Sequence, residues 1–189
     1  MKKLTFLFFG ALISIGTFAQ TWSLDKGHSK IGFTVTHHMI SEVDGYFKTF
    51  ESKLTSAKDD FSDAVFELTS QTASINTENE MRDKDLKGAN FFDVEKFPAM
   101  TFKSTSFKKV SGNKFTLTGD LTIKDVTKPV TMEVTLVGPE PHPRTKKPAI
   151  GIKALCTINR KDFGIGTSMM SAMVSDEVQL RATGEFNKD

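Results

Sequence analysis

The chain has 189 residues, of which 38% are hydrophobic and 25% charged, and its 25 Lys and Arg residues nearly balance 23 Asp and Glu residues. This near neutrality excludes the strongly basic surface that binding to nucleic acid or to an anionic membrane requires. The length suits one domain with a sizeable core, and the single cysteine, Cys156, excludes an intrachain disulfide. We expect Cys156 to be a small buried apolar residue rather than a reactive thiol.

The first 19 residues have the pattern of a secretory signal peptide. Two lysines, Lys2 and Lys3, precede an apolar stretch that is too short to span a bilayer comfortably, and Thr17 and Ala19 are the small residues that a signal peptidase recognises. We predict cleavage after Ala19, which leaves a formally neutral mature domain of residues 20–189. The protein is therefore expected to be periplasmic or secreted, with no stable membrane insertion.

Beyond residue 30, apolar and polar residues alternate in a series of runs, at residues 31–38, 64–69, 115–123, 130–136 and 178–186. This period of two predicts antiparallel strands with one dry and one wet face. Turn residues at 111–113 and 124–129 separate some of the strands, and the proline-rich stretch 139–148 is predicted not to form a strand. About eight strands in one all-β domain fit either a closed barrel or a two-sheet sandwich.

One short charged helix is predicted between the strands. Residues 77–80 have the T-x-x-E form of a capping box that starts at Thr77, and Gly88 is expected to end the helix in the left-handed conformation. The segment continues into Phe91 and Phe92, whose rings need cover. They either line the wall or mouth of a cavity, together with Leu86, Phe97 and Phe102, or plug one end of a barrel.

Composition favours a barrel with an apolar cavity. Four of the 17 phenylalanines lie in the predicted signal peptide, so the mature domain has 13, against one Trp and one Tyr. Most of its aromatic surface thus carries no polar group. A barrel of about eight strands can fill itself with side chains or hold one small ligand, and periodicity does not distinguish these two states.

Four groups of residues could act at the mouth of such a barrel, and each has a structural alternative. Arg82 could bind a head group or pair with Asp83, Asp85 or Asp93. For Arg160 we expect a structural pair with Asp162 or a nearby turn, and for His28 a hydrogen-bonded knot with Asp25 and Ser29. The loop with Met169, Met170 and Met173 could form a flexible lid, pack over the barrel end, or hold Cu(I) if further Met or His ligands joined it.

Motifs in chain order resemble those of the YceI-like family. They are Asp25-Lys26-Gly27-His28-Ser29 with Phe33 and His37, the helix segment from Arg82 to Ser104, residues 119–130, and Asn159-Arg160-Lys161-Asp162-Phe163-Gly164. The resemblance covers residues 22–187 and implies a periplasmic, lipocalin-like β-barrel of about eight antiparallel strands that holds a polyisoprenoid or other long-chain lipid in an apolar tunnel. It also allows a homodimer, although no stretch of the chain indicates an interface.

Binding, storage or transport of a long apolar lipid, without catalysis and without a cofactor, is the function that we expect. The candidate lipid-binding residues are Phe33, Phe66, Arg82, Leu86, Phe91, Phe92, Phe97, Phe102, Phe163, Met169 and Met170, and the polar candidates are His28, His37 and Arg160. The alternatives are an exported metal-dependent hydrolase and a structural or stress protein with a filled barrel. His37 and His38 are adjacent on a predicted strand, so we expect their side chains on opposite faces, where they cannot easily share a metal.

Overall fold

The computed structural model describes residues 19–189, so the predicted signal peptide lies almost entirely outside the described residues and stays a prediction. The strands are β1 (Gln20–His37), β2 (Ser41–Phe47), β3 (Phe50–Ser56), β4 (Val65–Gln71), β5 (Ile75–Asn76), β6 (Ala99–Ser111), β7 (Lys114–Ile123), β8 (Val126–Pro141), β9 (Pro148–Asn159) and β10 (Val174–Lys188). The helix α1 (Glu80–Lys87) lies between β5 and β6, and short 3-10 turns occupy Thr72–Ser74 and Arg160–Phe163.

The sheet closes on itself. Its antiparallel order runs from β10 through β9, β8, β7, β6, β4 and β3 to β1, and β1 pairs again with β10. β2 pairs with the second half of β1, and β3 pairs with residues 20–23 at its start. β2 and β3 therefore pair with successive parts of the same edge of β1. Together they count as one strand in the closed barrel. The prediction of an eight-stranded antiparallel lipocalin-like barrel with one inserted helix is confirmed.

One boundary prediction is wrong in the proline-rich stretch. β8 continues through Pro139 and Glu140 to Pro141, and β9 resumes at Pro148, so the connection is only residues 142–147. The pairing of β8 with β9 shifts register between Val137 and Glu140. Proline is tolerated in a strand at such an irregularity, because the regular hydrogen-bond ladder is already interrupted there.

The helix is also bounded differently from the prediction. Its N-cap is Asn79, whose side chain accepts a hydrogen bond from the Arg82 backbone N–H, and not Thr77. Thr77 is committed elsewhere, since its N–H and hydroxyl both donate to the carboxylate of Asp83. Gly88 is extended (φ −72°, ψ 170°) rather than left-handed. Beyond the helix, Asp93 has a positive φ of 50°, at the end of the loop that carries the two phenylalanines.

The two ends of the barrel differ in how their interior is filled. At one end, large aromatic side chains from β1, from the connection between β3 and β4, from β6 and from β7 fill the lumen. Trp22 packs on Phe61 with ring centroids 5.3 Å apart, and Phe107 stacks on Phe115 at 4.5 Å. At the other end, α1 and the segment after it lie beside the short strand β5, at the edge of the sheet. None of the helices in residues 19–189 is long and apolar enough to cross a membrane.

Candidate functional site

A cavity of about 420 Å³ occupies the end of the barrel next to α1. This volume lies within the range of small-molecule sites. Most of the lining is apolar and comes from the inward faces of the strands, from α1 with the segment that follows it, and from the loop before β10. The apolar side chains from the strands are Ile31, Phe33, Val35, Val43, Phe47, Leu68, Met100, Phe102, Leu121, Ile123, Met132, Ala154, Cys156, Ile158, Val174, Val178, Leu180 and Ala182.

Small inward residues keep this end of the barrel open. In one row across β1, β10 and β9, Ile31, Ala182 and Ala154 are paired in register. The small alanine side chains leave the lumen open here. At the other end, aromatic side chains occupy the corresponding space. The same strands therefore supply a closed end and a cavity, because the size of the side chains at inward positions changes along their length.

The predicted aromatic residues divide between cavity and core. Phe33, Phe91, Phe92 and Phe102 line the cavity, as does Leu86 of α1. Phe92 is buried and meets Phe47 edge to face at 5.6 Å. Of the two roles that the sequence left open for Phe91 and Phe92, the structure places both rings in the cavity wall.

Three predicted phenylalanines lie outside the cavity lining. Phe66 packs against Phe107 at the closed end, with ring centroids 5.1 Å apart. Phe163 is buried in the 3-10 turn after β9, and Phe97 lies under the ammonium groups of Lys96 and Lys124, 5.0 and 5.8 Å from its ring centroid. The prediction that these three residues bind lipid therefore differs from the structure, in which their side chains lie in the core or toward the surface.

Arg160 is buried, and its guanidinium is fully used by the protein. It donates to the carbonyl oxygens of Ser175 (3.0 Å), Ile165 (3.0 Å), Gly166, Met169 (3.2 Å) and Val174 (3.2 Å). It also pairs with Asp176 at 2.8 Å. A guanidinium has five N–H donors, so Arg160 has none left for a ligand head group.

The partner predicted for Arg160 is therefore partly wrong. The turn is as expected, but the acid is Asp176 and not Asp162, which lies 3.6 Å from Lys128. Because Arg160 binds carbonyls at both ends of the loop before β10, this loop is tied down rather than free. Met169 of the loop lines the cavity, whereas Met170 is 65% exposed and lies outside the lining.

Arg82 lies at the cavity rim, and part of its guanidinium makes no hydrogen bond to the described residues. Its Nε donates to the Thr77 hydroxyl at 2.8 Å and its Nη2 to the Thr77 carbonyl at 2.7 Å. None of the hydrogen bonds among residues 19–189 involves its Nη1. The structural alternative, a pair with Asp83, Asp85 or Asp93, is not among the ion pairs of residues 19–189, and Asp83 binds Thr77 instead. Asp85 also lines the cavity, so the rim carries both signs of charge.

The two adjacent histidines do not lie on opposite faces. β1 ends at His37, and His38 adopts a positive φ of 51° in the following turn. Their rings consequently meet edge to face with centroids 4.1 Å apart, and His37 lies at the cavity rim. The part of the chain that the structure describes brings no three His, Cys, Asp or Glu side chains close enough to hold a metal ion.

His28 forms the predicted knot, outside the cavity. Its Nδ1 lies 3.0 Å from the Asp25 carboxylate, and the Ser29 hydroxyl donates to the Asp25 carbonyl at 2.6 Å. The hydrogen bond that His28 donates to the Asp25 carboxylate, together with the charge of that carboxylate, raises the pKa of His28 above its ordinary value. The knot sits where the pairing of β1 with β10 changes register, between Asp25 and Lys30, and we interpret His28 as structural.

Cys156 faces the cavity on the same side of β9 as Ala154 and Ile158, as predicted. Burial among apolar groups raises the pKa of its thiol to about 11, which keeps the group protonated and poorly nucleophilic at neutral pH. The chemistry available in this lumen is thus dominated by apolar contact. Charged and polar groups lie at its rim.

Sequence reasoning missed part of the site. The aliphatic lining from β7 to β10, such as Met132 and Leu180, follows the same inward alternation as the core, and alternation alone does not distinguish lining from core. Asp83, which the sequence offered only as a partner of Arg82, is buried and organises Thr77 and thereby Arg82. No local motif distinguishes it from the neighbouring exposed acids.

Comparison with known proteins identifies the family. The model of the YceI-like domain matches residues 22–186. Protein YceI of Salmonella agona is 39% identical over 185 residues, covering 95% of each chain. The crystal structure of Burkholderia cenocepacia BcnA superposes with a TM-score of 0.77 at 25% identity, covering 86% of this chain and 98% of the other.

A polyisoprenoid binding domain from Saccharophagus degradans shares the fold, with a TM-score of 0.69 at 12% identity over 90% of this chain and 99% of that chain. The barrel, the cavity and these matches agree along nearly the whole described sequence. The chain belongs to the YceI-like family.

Proposed function

We propose that the protein binds one long apolar lipid chain in the barrel cavity and carries or stores it without chemical change. The observation that carries this proposal is the cavity itself, an apolar lumen of about 420 Å³ that opens beside α1 and is closed at its far end by stacked aromatic rings. Ligand sites of this kind take most of their affinity from burial of apolar surface.

Burial of the lipid chain supplies the driving force for binding. Each methylene moved from water into the lumen contributes about 0.8 kcal/mol, so ten buried carbons give roughly 8 kcal/mol before the cost of association is subtracted. The side chains that line the lumen are already folded into strands, which limits the ordering cost to the lipid itself. No reacting group is needed for this function.

The shape of the cavity favours a chain over a compact ligand. On β1 the lining extends from Ile31 to His37, a run of roughly 20 Å at 3.3 Å per residue, or about 15 Å of depth if the strands tilt by about 40°. The lumen is blind, since the packed aromatic end blocks further passage. A longer lipid would leave its polar end and its excess length at the mouth.

Arg82 is the candidate partner for the polar end. Its Nη1 has donors that the described residues leave unused, while the nearby Asp85 disfavours a fully ionised anion. A head group that both accepts and donates, such as an alcohol, suits this pair better than a phosphate. The fold shared with a polyisoprenoid binding domain makes an isoprenoid alcohol the first ligand to test.

Export would place such a carrier in an aqueous compartment between or outside membranes, where a free lipid chain is poorly soluble. This location rests on the predicted signal peptide and on family resemblance. A dimer would likewise rest on family resemblance alone. Neither a dimer nor a role in envelope stress or isoprenoid metabolism is needed for the cavity to bind a lipid.

Native mass spectrometry on protein expressed from the full-length chain tests the proposal. We expect one lipid adduct per chain, or stoichiometric uptake when farnesol, geranylgeraniol or palmitic acid is offered. Arg82→Met should weaken the alcohol more than the corresponding hydrocarbon, and Lys84→Met, an exposed change on the same helix, should affect neither. A protein that carries no adduct and takes up none of these ligands would overturn the proposal.

A further inference from the structure

Three of the phenylalanines that line the cavity rest on glycines. If a Cβ atom is built on Gly45, all three of its nearest neighbours are ring atoms of Phe33, with Cε1 and Cε2 at 2.6 and 2.9 Å. A Cβ on Gly119 would lie 2.5 Å from Cζ of Phe102, and one on Gly166 would lie 2.8 Å from Cε1 of Phe91. Each ring therefore occupies the space that a side chain would take.

The backbone does not explain two of these glycines. Gly166 has a φ of +55°, which itself favours glycine. Gly45 and Gly119 have no positive φ. Both are buried in the middle of strands, β2 and β7, where glycine weakens the sheet because it packs no side chain and is costly in conformational entropy.

Ring packing offers a reason for glycine at these positions. Phe33 lies directly opposite Gly45 in the register of β1 with β2, so its ring can cross to the neighbouring strand and cover the glycine. A ring laid against the wall leaves the lumen free. A ring displaced by a Cβ on β2 has only the lumen to move into, because Gly45 lies on the inward face between Val43 and Phe47.

We propose that Gly45 sets the width of the cavity, and hence the thickness of lipid chain that it accepts, by letting the Phe33 ring lie flat on β2; Gly119 does the same for Phe102. This inference rests on the proposed lipid-binding function for its consequence, but its structural content is independent. Gly45 gives the cleaner test, since a Cβ on Gly119 would also meet the Lys103 carbonyl oxygen at 2.5 Å.

The experiment compares Gly45→Ala with Gly151→Ala. Gly151 lies in β9, has no positive φ, and a Cβ built there meets nothing within 4 Å. Binding of the neutral probe N-phenyl-1-naphthylamine should weaken about tenfold in Gly45→Ala, the loss expected for roughly two buried methylenes, and should not change in Gly151→Ala. Truncation of the ring in Phe33→Ala/Gly45→Ala should restore binding to the level of Phe33→Ala.

The crystal structure of Gly45→Ala and a double-mutant cycle in urea separate this inference from the proposed function. If the wild-type protein binds no probe, lipid binding fails, yet a Phe33 ring turned into the lumen still supports the inference. Should the single variant fold poorly, Gly45→Ala should destabilise the protein more in the Phe33 background than in the Phe33→Ala background. An unmoved ring, or equal destabilisation in both backgrounds, would overturn the inference.

Discussion

Filling the cavity at Ala182 should weaken lipid binding by an amount that the structure allows to be estimated. Ala182 faces the lumen between Ile31 and Ala154. Ala182→Leu adds three carbons, which would displace about three carbons of bound chain. At about 0.8 kcal/mol per carbon the loss is roughly 2.4 kcal/mol, or on the order of 50-fold in Kd.

The matched control is Gln179→Leu on the same strand. Gln179 pairs with Thr34 and Thr157 in an outward-facing polar row, and it is exposed. We expect this variant to bind fatty acid or isoprenol as the wild-type protein does, measured by displacement of a fluorescent apolar probe. Both variants should unfold in urea near the wild-type midpoint. Equal affinities for the two variants, or a loss of folding confined to Ala182→Leu, would refute an open cavity at this position.

Three further predictions concern the groups around the cavity. Arg160→Met leaves several carbonyls and the Asp176 carboxylate without their donor, and we expect it to cost roughly 3–5 kcal/mol of unfolding free energy in urea titration; a loss below about 1 kcal/mol would contradict the role of Arg160 as a structural hub. The Cys156 thiol, with a pKa of about 11, should react with iodoacetamide at pH 7 roughly two to three orders of magnitude more slowly than a free cysteine, followed by mass spectrometry; a rate equal to that of a free thiol would show that the site is hydrated. Hydrogen bonds from Ser171 and Lys161, with the charges of Lys161 and Arg160, hold the pKa of Asp176 below its ordinary value. Its stabilising contribution is therefore complete above about pH 4 and is lost as the pH falls through the lowered pKa. Asp176→Asn should accordingly destabilise the protein at pH 7 and converge with the wild-type protein near pH 2, and a pH-independent difference would contradict the assignment.

The strand pattern predicted the barrel because alternation depends only on local sequence. Each of the runs around Phe33, Leu121, Met132 and Leu180 has one face toward the interior, as the period of two requires. What alternation does not contain is the position along the barrel axis. Phe66 and Phe102 obey the same pattern, but one packs in the closed end and the other lines the cavity.

Contacts made in the turns and loops, where alternation gives no guidance, account for most of the remaining errors. The partners of Arg160 lie 5 to 16 residues away and depend on how the loop before β10 folds back. The contact between His37 and His38 depends on where β1 ends, which the alternating pattern did not mark. The position of the N-cap at Asn79 followed from the competing bond of Thr77 to Asp83, which a capping motif alone does not reveal.

The two strand glycines show a second limit of prediction from sequence alone. Gly45 and Gly119 stand in strands where their identity looks neutral or unfavourable, and nothing in the local pattern indicates that a ring from another strand covers them. Their effect on the cavity depends on pairs of residues far apart in the sequence. Such pairs become visible only when strand register is known.

The most direct test of the central claim is a crystal structure of the protein with a long-chain alcohol that carries bromine at the far end of its chain. We expect one anomalous bromine peak per chain inside the lumen, near Phe33 and Phe102, with the hydroxyl end at the mouth near Arg82. An empty lumen at saturating ligand, or a bromine peak only on the outer surface, would contradict the claim that this barrel encloses a lipid chain.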